Sequence, residues 1–424
     1  MSEKTFGKTL SRRSFLKESS AAAVGVAGIS VIGAPAILSG QNVNSRINLG
    51  FLGTGSRACE MLTAISGQTE KLVTDLCDIY PPHLAEAVKL CGNTKVRTYE
   101  HWEKVLEQKD VDAVVVATPL FLHVPMSVAG LEAGKHVLSE KSMGLNMKHL
   151  NQMLAAVQSH PDKVYLVGYQ GRLAESLKMV KDLVAEGSLG RITQFYVHFD
   201  RNQSWKRDDL PAEWERVLNW RLYKEYCGGL LTEVVTHEID AVREVLGIMP
   251  VNASFYGKVQ IYKDGRDSHD SIVGAWEMED GVLGVGTAHL SNASNGSGWK
   301  LLGTHGTVES NGGTVKIYWE KEARHLDSVG IQHKFTTIKL GQSLKESENP
   351  NNTPAKVITF EIDNDYDLST AREFRHFYDC ILNGTKPVMD ATSCRDTSIA
   401  AFMAYASTLE GGRQVSRAEV EAAG

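Results

Sequence analysis

Residues Arg46 to Leu52 form an apolar strand pattern that runs straight into Gly53-Thr54-Gly55-Ser56-Arg57-Ala58. A strand feeding Gly-x-Gly-x-x-Ala is how a dinucleotide-binding βαβ unit opens. The first glycine permits the tight turn and the second lets main-chain N–H groups approach a pyrophosphate. A small third residue lets the helix pack closely on the strand. Leu72 to Cys77 reads as the second strand, with Asp78 at its end, 23 residues after Gly55. An acid about 20 residues on accepts hydrogen bonds from the ribose hydroxyls of NAD. Asp78 would repel a 2′-phosphate, and Ile79 and Tyr80 supply no Arg to receive one. The pattern predicts a doubly wound parallel sheet and an NAD site.

The βα alternation continues. Val111 to Ala117 reads as a buried parallel strand ending at Thr118-Pro119, and His123 opens the next helix. His136 to Leu138 predicts a strand running into Ser139-Glu140-Lys141-Ser142, and Val164 to Gly168 another. From about residue 171 strands follow one another through short turns, which predicts a large open mixed or antiparallel sheet in a second α/β domain. An insertion from Arg201 to Tyr226 carries Trp205, Trp214, Trp220, Tyr223 and Tyr226. Gly228 to Asp240 predicts a helix with Glu233, His237 and Asp240 on one face. Lys321 to Pro354 is polar and reads as a long surface excursion; amphipathic helices follow around Phe374 to Ile381 and Asp396 to Leu409.

Composition narrows the class. A net charge of −6 over 424 residues argues against nucleic acid as a partner. The six cysteines form no Cys-x-x-Cys pair, so no metal site is expected. Arg12-Arg13 ahead of a mildly apolar stretch predicts a twin-arginine-type signal peptide over residues 1–36, periplasmic export and no lasting membrane insertion. The expected division is a Rossmann domain over 44–170 and a substrate and oligomerisation domain over 171–424. Free nicotinamide cofactor is scarce outside the inner membrane. Two readings follow: the cofactor is held tightly and regenerated within each cycle, or the signal is not used as it reads.

Gly53 to Ala58, Ala117 to His123, Glu140 to Ser142 and Gly228 to Asp240 together resemble the Gfo/Idh/MocA family of nicotinamide-dependent sugar oxidoreductases. The overall look is similar to exported members acting on glycosides. The resemblance implies Lys141 and His237 as catalytic residues, joined by Glu233. It implies Gly53, Gly55, Ser56, Arg57, Asp78, Thr118, Pro119, His123 and Glu140 around NAD. Tyr169, Arg172, Trp220, Tyr223 and Asp240 then face the sugar, and the open sheet builds a homo-oligomer. Two positions depart from the family pattern: Ser142 stands where Pro is usual, and Glu233 where Asp is usual.

Three functional readings follow. The first is oxidation of a sugar or glycoside hydroxyl, at C3, with NAD as acceptor. The second is a redox-neutral glycosidase or lyase that oxidises C3 only transiently. The third is a sugar-binding protein on the same scaffold, against which the retention of Lys141 and His237 argues.

Overall fold

The computed structural model describes residues 46–69, 71–311, 314–319, 356–361 and 365–424. The signal peptide read over 1–36 and the polar excursion read over Lys321 to Pro354 lie outside the described residues. No described helix is long and apolar enough to cross a membrane.

Six strands build the first sheet: β1 (Ile47–Leu52), β2 (Lys71–Cys77), β3 (Arg97–Tyr99), β4 (Ala113–Val116), β5 (His136–Glu140) and β6 (Tyr165–Gly168). Their order is β3-β2-β1-β4-β5-β6, and every pairing is parallel. All four residues of β4 are buried, as a strand covered on both faces requires. Strand order reverses between β1 and β4, so a crevice opens at their carboxyl ends, where open α/β sheets take ligands.

The second sheet adds β7 (Ile192–Asn202), β8 (Pro250–Lys258), β9 (Ser271–Met278), β10 (Leu283–His289) and β11 (Ser291–Gly303). It is completed by β12 (Gly306–Ser310), β13 (Thr314–Trp319), β14 (Lys356–Glu361) and β15 (Val415–Ser416). The order is β14-β13-β12-β11-β7-β10-β9-β8-β15, antiparallel except for β7 beside β10, so the sheet is mixed as the turn pattern predicts. Alternation sorts its faces: Ile272, Trp276 and Met278 of β9 are buried, while Val273 and Glu277 are exposed. Onto the buried face packs the helix Ala391–Leu409, whose start is set by Asp390 accepting from Ser393 N at 2.9 Å. The Trp276 indole donates to Ala400 O of this helix at 3.1 Å. The same helix also touches β6, tying the two sheets together.

One element departs from the linear division of the chain. Helix Asp365–Asn383 follows the second sheet in sequence but packs on helix Ser56–Ala64 of the first, with Phe374 stacked 6.4 Å from Phe51.

Candidate active site

The cofactor motif adopts the geometry its glycines allow. Gly53 takes φ +86°, and a Cβ there would lie 2.7 Å from Ala117 O, so only glycine fits this turn. Gly55 caps helix Ser56–Ala64 with no side chain bonded to the helix N–H groups and no acid in the first turn. The positive helix end thus faces a cleft of about 840 Å³ bordered by Gly55, Ser56, Arg57, His83, Thr370 and Ala371. A second cleft, about 410 Å³, is lined by Asp78, Ile79, Leu84, Val88 and Trp214 among others. At the end of β4 the Thr118 hydroxyl is buried without a partner, beside Pro119. A glycine turn, a bare helix end and an orphaned hydroxyl fit a dinucleotide.

Asp78 closes the β2 end of this wall. Its carboxylate accepts from Thr54 N at 2.7 Å and Tyr80 N at 2.8 Å, and His83 Nδ1 stands 3.5 Å away. Burial pulls its pKa up, but the hydrogen bonds from His83, Tyr80 and Thr54 outweigh it and hold the carboxyl below its ordinary range.

Three residues expected on the cofactor have other primary partners. Arg57 Nε donates to Glu140 Oε1 at 2.6 Å, and the same guanidinium reaches Thr370 at 3.3 Å and Glu373 at 3.9 Å. Arg57 and Glu140 therefore hold each other across the crevice. His123, expected at the cofactor, has both ring nitrogens on main-chain carbonyls, Ser142 O at 2.9 Å and Thr118 O at 3.0 Å. It shapes the wall by tying the β4 and β5 ends together, and presents no nitrogen to a ligand. Burial holds its imidazole below the usual value, against the pull of those two carbonyls.

At the end of β5 the Lys141 ammonium donates to the main-chain oxygen of Glu233 and lies 3.8 Å from its Oε1. Arg221 Nε donates to that same oxygen at 2.8 Å. Ser142 Oγ donates to Thr232 O at 2.5 Å, and the Tyr169 hydroxyl meets Thr236 Oγ1 at 2.7 Å. Tyr169 is thus buried and engaged, with its ring 6.0 Å from that of His237 in a T-shaped contact. Burial and the neighbouring Lys141 and Arg57 cations push the His237 imidazole well below its usual value.

The single helical face expected for Glu233, His237 and Asp240 is corrected. Leu230–Glu233 is one short helix, Val234 leaves helical geometry at φ −124°, ψ −51°, and a new helix runs Thr236–Leu246. The run Val234-Val235-Thr236 is β-branched and favours such a break. Leu230 O accepts from both Val234 N and Val235 N at 3.0 Å, which turns the chain there. Glu233 meets Lys141 from the first helix, and the buried His237 of the second lies within the field of the Lys141 charge.

Arg172 and Asp240, expected on the sugar, are corrected as well. They form a buried bidentate pair at 2.6 and 2.9 Å, and Thr397 donates to the same carboxylate at 2.7 Å. Their hydrogen-bonding groups serve the junction between helices. Trp220 carries Arg221 on its ring at 4.1 Å, and Tyr223 carries Arg216 at 4.0 Å, so each has one ring face covered.

Sequence reasoning missed Arg221, Glu238 and Glu373. Burial pushes the Glu238 carboxyl up to about 8, and its Oε2 has no partner. Burial and the Glu140 charge push Glu373 up to about 8 as well. Glu238, adjacent to His237 in the motif, was the one with a visible signal. Among the described residues no group of three His, Cys, Asp or Glu side chains is placed to hold a metal.

Comparison with known proteins agrees with this architecture. "Oxidoreductase family, NAD-binding Rossmann fold" matches residues 47–169, and "GFO/IDH/MocA C-terminal domain" matches 177–309. The chain belongs to the GFO/IDH/MocA oxidoreductase family, and its cofactor is NAD. It is 29% identical over 265 residues to a levoglucosan dehydrogenase of Pseudarthrobacter phenanthrenivorans, covering 59% of this chain and 65% of that one. It is 26% identical over 235 residues to a 2,7-anhydro-N-acetylneuraminate hydratase of Mediterraneibacter gnavus, covering 52% and 58%. The chain thus spans under two thirds of the length of these two curated relatives. Levoglucosan dehydrogenase in complex with NADH and levoglucosan superposes with a TM-score of 0.70 at 18% identity, over 88% of this chain and 99% of that one, which speaks to fold alone.

Proposed function

We propose that the protein oxidises a secondary hydroxyl, at C3, of a sugar or glycoside. The observation that carries this reading is the contact of Lys141 with Glu233 at the carboxyl end of β5, with the His237 imidazole held neutral by burial and by the Lys141 charge. When bound, NAD supplies the hydride acceptor. His237, kept neutral by burial and by the Lys141 and Arg57 cations, takes the hydroxyl proton. Lys141 turns from the Glu233 carbonyl to the substrate oxygen and holds it as the C–O bond becomes C=O. Arg221 fixes the Glu233 carboxylate and so the position of Lys141. The dehydrogenase relative supports a carbohydrate substrate. Periplasmic export, read from residues 1–36, belongs to the same proposal.

A specific pair of observations also favours the redox-neutral reading. One relative is named a hydratase. Glu238, the residue after His237, is pushed up to about 8 by burial, and Glu233 is held between two cations, so this corner holds one neutral acid and one carboxylate. Incubating the purified protein with a panel of glycosides separates the cases. Nicotinamide absorbance with a keto-sugar supports oxidation, and a free aglycone with no net NADH supports elimination. Neither product from any sugar tested would remove both.

A further inference from the structure

The aromatic, charged insertion between β7 and Gly228 has so far given the site only Arg221 on Glu233 and Trp214 at the smaller cleft. It begins where the long β7 strand ends and is anchored on the second sheet's side: Arg266 Nη2 donates to Ser204 O at 2.7 Å, and the Arg266 side chain is 2% exposed. A buried Asn219 then closes the loop, accepting from Arg207 N at 2.7 Å and donating to Arg207 O at 3.2 Å. The carbonyl oxygen and the NH2 of one buried side chain therefore both serve a single residue, Arg207. Such anchoring holds a loop in one geometry at little entropic cost on binding.

What that geometry does is reach the Rossmann fold. Arg207 Nη1 lies 2.8 Å from His83 Nε2. A guanidinium only donates, so Nε2 accepts and the ring proton sits on Nδ1, which faces Asp78 Oδ2 at 3.5 Å. Arg207, His83 and Asp78 form one directed chain ending at the carboxylate that would accept from the ribose hydroxyls. Trp214 does the same with its ring: it stands 5.5 Å from Tyr80, which in turn stands 5.0 Å from His83. The stretch from Asp78 to Glu86 borders both clefts. His83 and Glu86 line the larger, while Asp78, Ile79 and Pro81 line the smaller, with Trp214 contributed from outside the sheet. The smaller cleft has apolar walls in Ile79, Leu84 and Val88, the surface a flat heteroaromatic base prefers.

We infer that the segment 204–222 is a strap on the adenosine end of the cofactor, with Trp214 a wall of the base pocket and Arg207 the residue that orients His83 and Asp78 toward the ribose. The inference rests on NAD as the cofactor. Its consequence is slow release, because the dinucleotide leaves only when contacts from the second sheet's side open.

The test uses the full-length protein and NADH release, not turnover. Protein loaded with NADH is chased with excess NAD, and the loss of NADH fluorescence gives the dissociation rate. Wild type should release slowly. Trp214→Ala and Arg207→Ala should each speed release about tenfold or more, which is about 1.4 kcal/mol per tenfold. Trp214→Phe should restore most of the difference, since a ring still fills the wall. Melting of the cofactor-free variants checks that they fold, and Arg207→Lys serves if the alanine variant does not. Release within twofold of wild type in both alanine variants would overturn the strap while leaving the NAD site intact. A wild type that binds no NADH at all would overturn the cofactor reading, and the strap with it.

Discussion

The Lys141 ammonium rests on the main-chain oxygen of Glu233 and 3.8 Å from Oε1 of the same residue, to which Arg221 Nε also donates. One acid thereby fixes the position of one cation, so the two substitutions have different consequences. Lys141→Ala is expected to lower turnover by roughly 10²–10⁴ while NAD affinity stays within a few-fold. Stopped-flow hydride transfer alongside calorimetric NAD binding checks both halves. Unchanged turnover would reduce Lys141 to a structural residue.

Glu233→Gln keeps the shape but removes the charge that holds Lys141 and Arg221. Where the enzyme eliminates an aglycone, this variant should impair aglycone release more than hydride transfer. Following both signals on one glycoside measures the difference, and equal losses would mean that Glu233 only positions the sugar.

His237 predicts the acid side of the pH profile. Burial and two neighbouring cations lower its pKa, so the neutral, proton-accepting form persists well below the ordinary imidazole value of about 6.5. As pH falls, activity should hold through 6.5 and drop only below it. A profile of kcat/KM against pH in wild type, and its loss of that limb in His237→Asn, tests the assignment.

Stability should respond to pH through Glu238 and Glu373. Both keep their protons in the folded protein up to about 8, whereas an unfolded glutamate loses its proton near about 4.3. Between these values the native state binds more protons than the unfolded state. Their contribution is therefore complete at low pH and is lost as pH rises toward 8. In Glu238→Gln the fall of thermal midpoint across this window should be shallower than in wild type. A slope identical to wild type would contradict the raised value.

Cofactor choice should follow Asp78. Its carboxylate, held below the usual range, repels a 2′-phosphate. Asp78→Ala should narrow the preference for NAD over NADP, with Arg207 and His83 then left as the polar groups of that corner. Titration of both cofactors into both proteins gives the ratio, and a wild type preferring NADP would end the argument.

The legible part of this protein is the part that chemistry compresses into short spacings. Gly53 to Ala58, Asp78 and Glu140-Lys141 stand out because a turn, a ribose acceptor and a strand end each need a residue type at a fixed offset. Pairings across long separations are invisible to such reasoning. Arg57 and Glu140 are 83 positions apart and Arg207 and His83 are 124, so nothing local distinguishes either cation from a solvated one. Arg172 and Asp240 are 68 positions apart, and nothing local in either stretch announces that they pair with each other. The helix break at Val234 is different, since three consecutive β-branched residues announce it locally.

Helix Asp365–Asn383 gives the cleft its last wall. Arg57 and Thr370 touch across 313 positions of chain, so the glycine turn leaves the ribosome roughly tens of seconds before the residues that enclose it. During synthesis the amino-terminal half has its turn, its bare helix end and its ribose acid, yet stands open on one side. A cleft closed by residues this far apart in sequence is complete only once helix Asp365–Asn383 has been made and has docked on helix Ser56–Ala64.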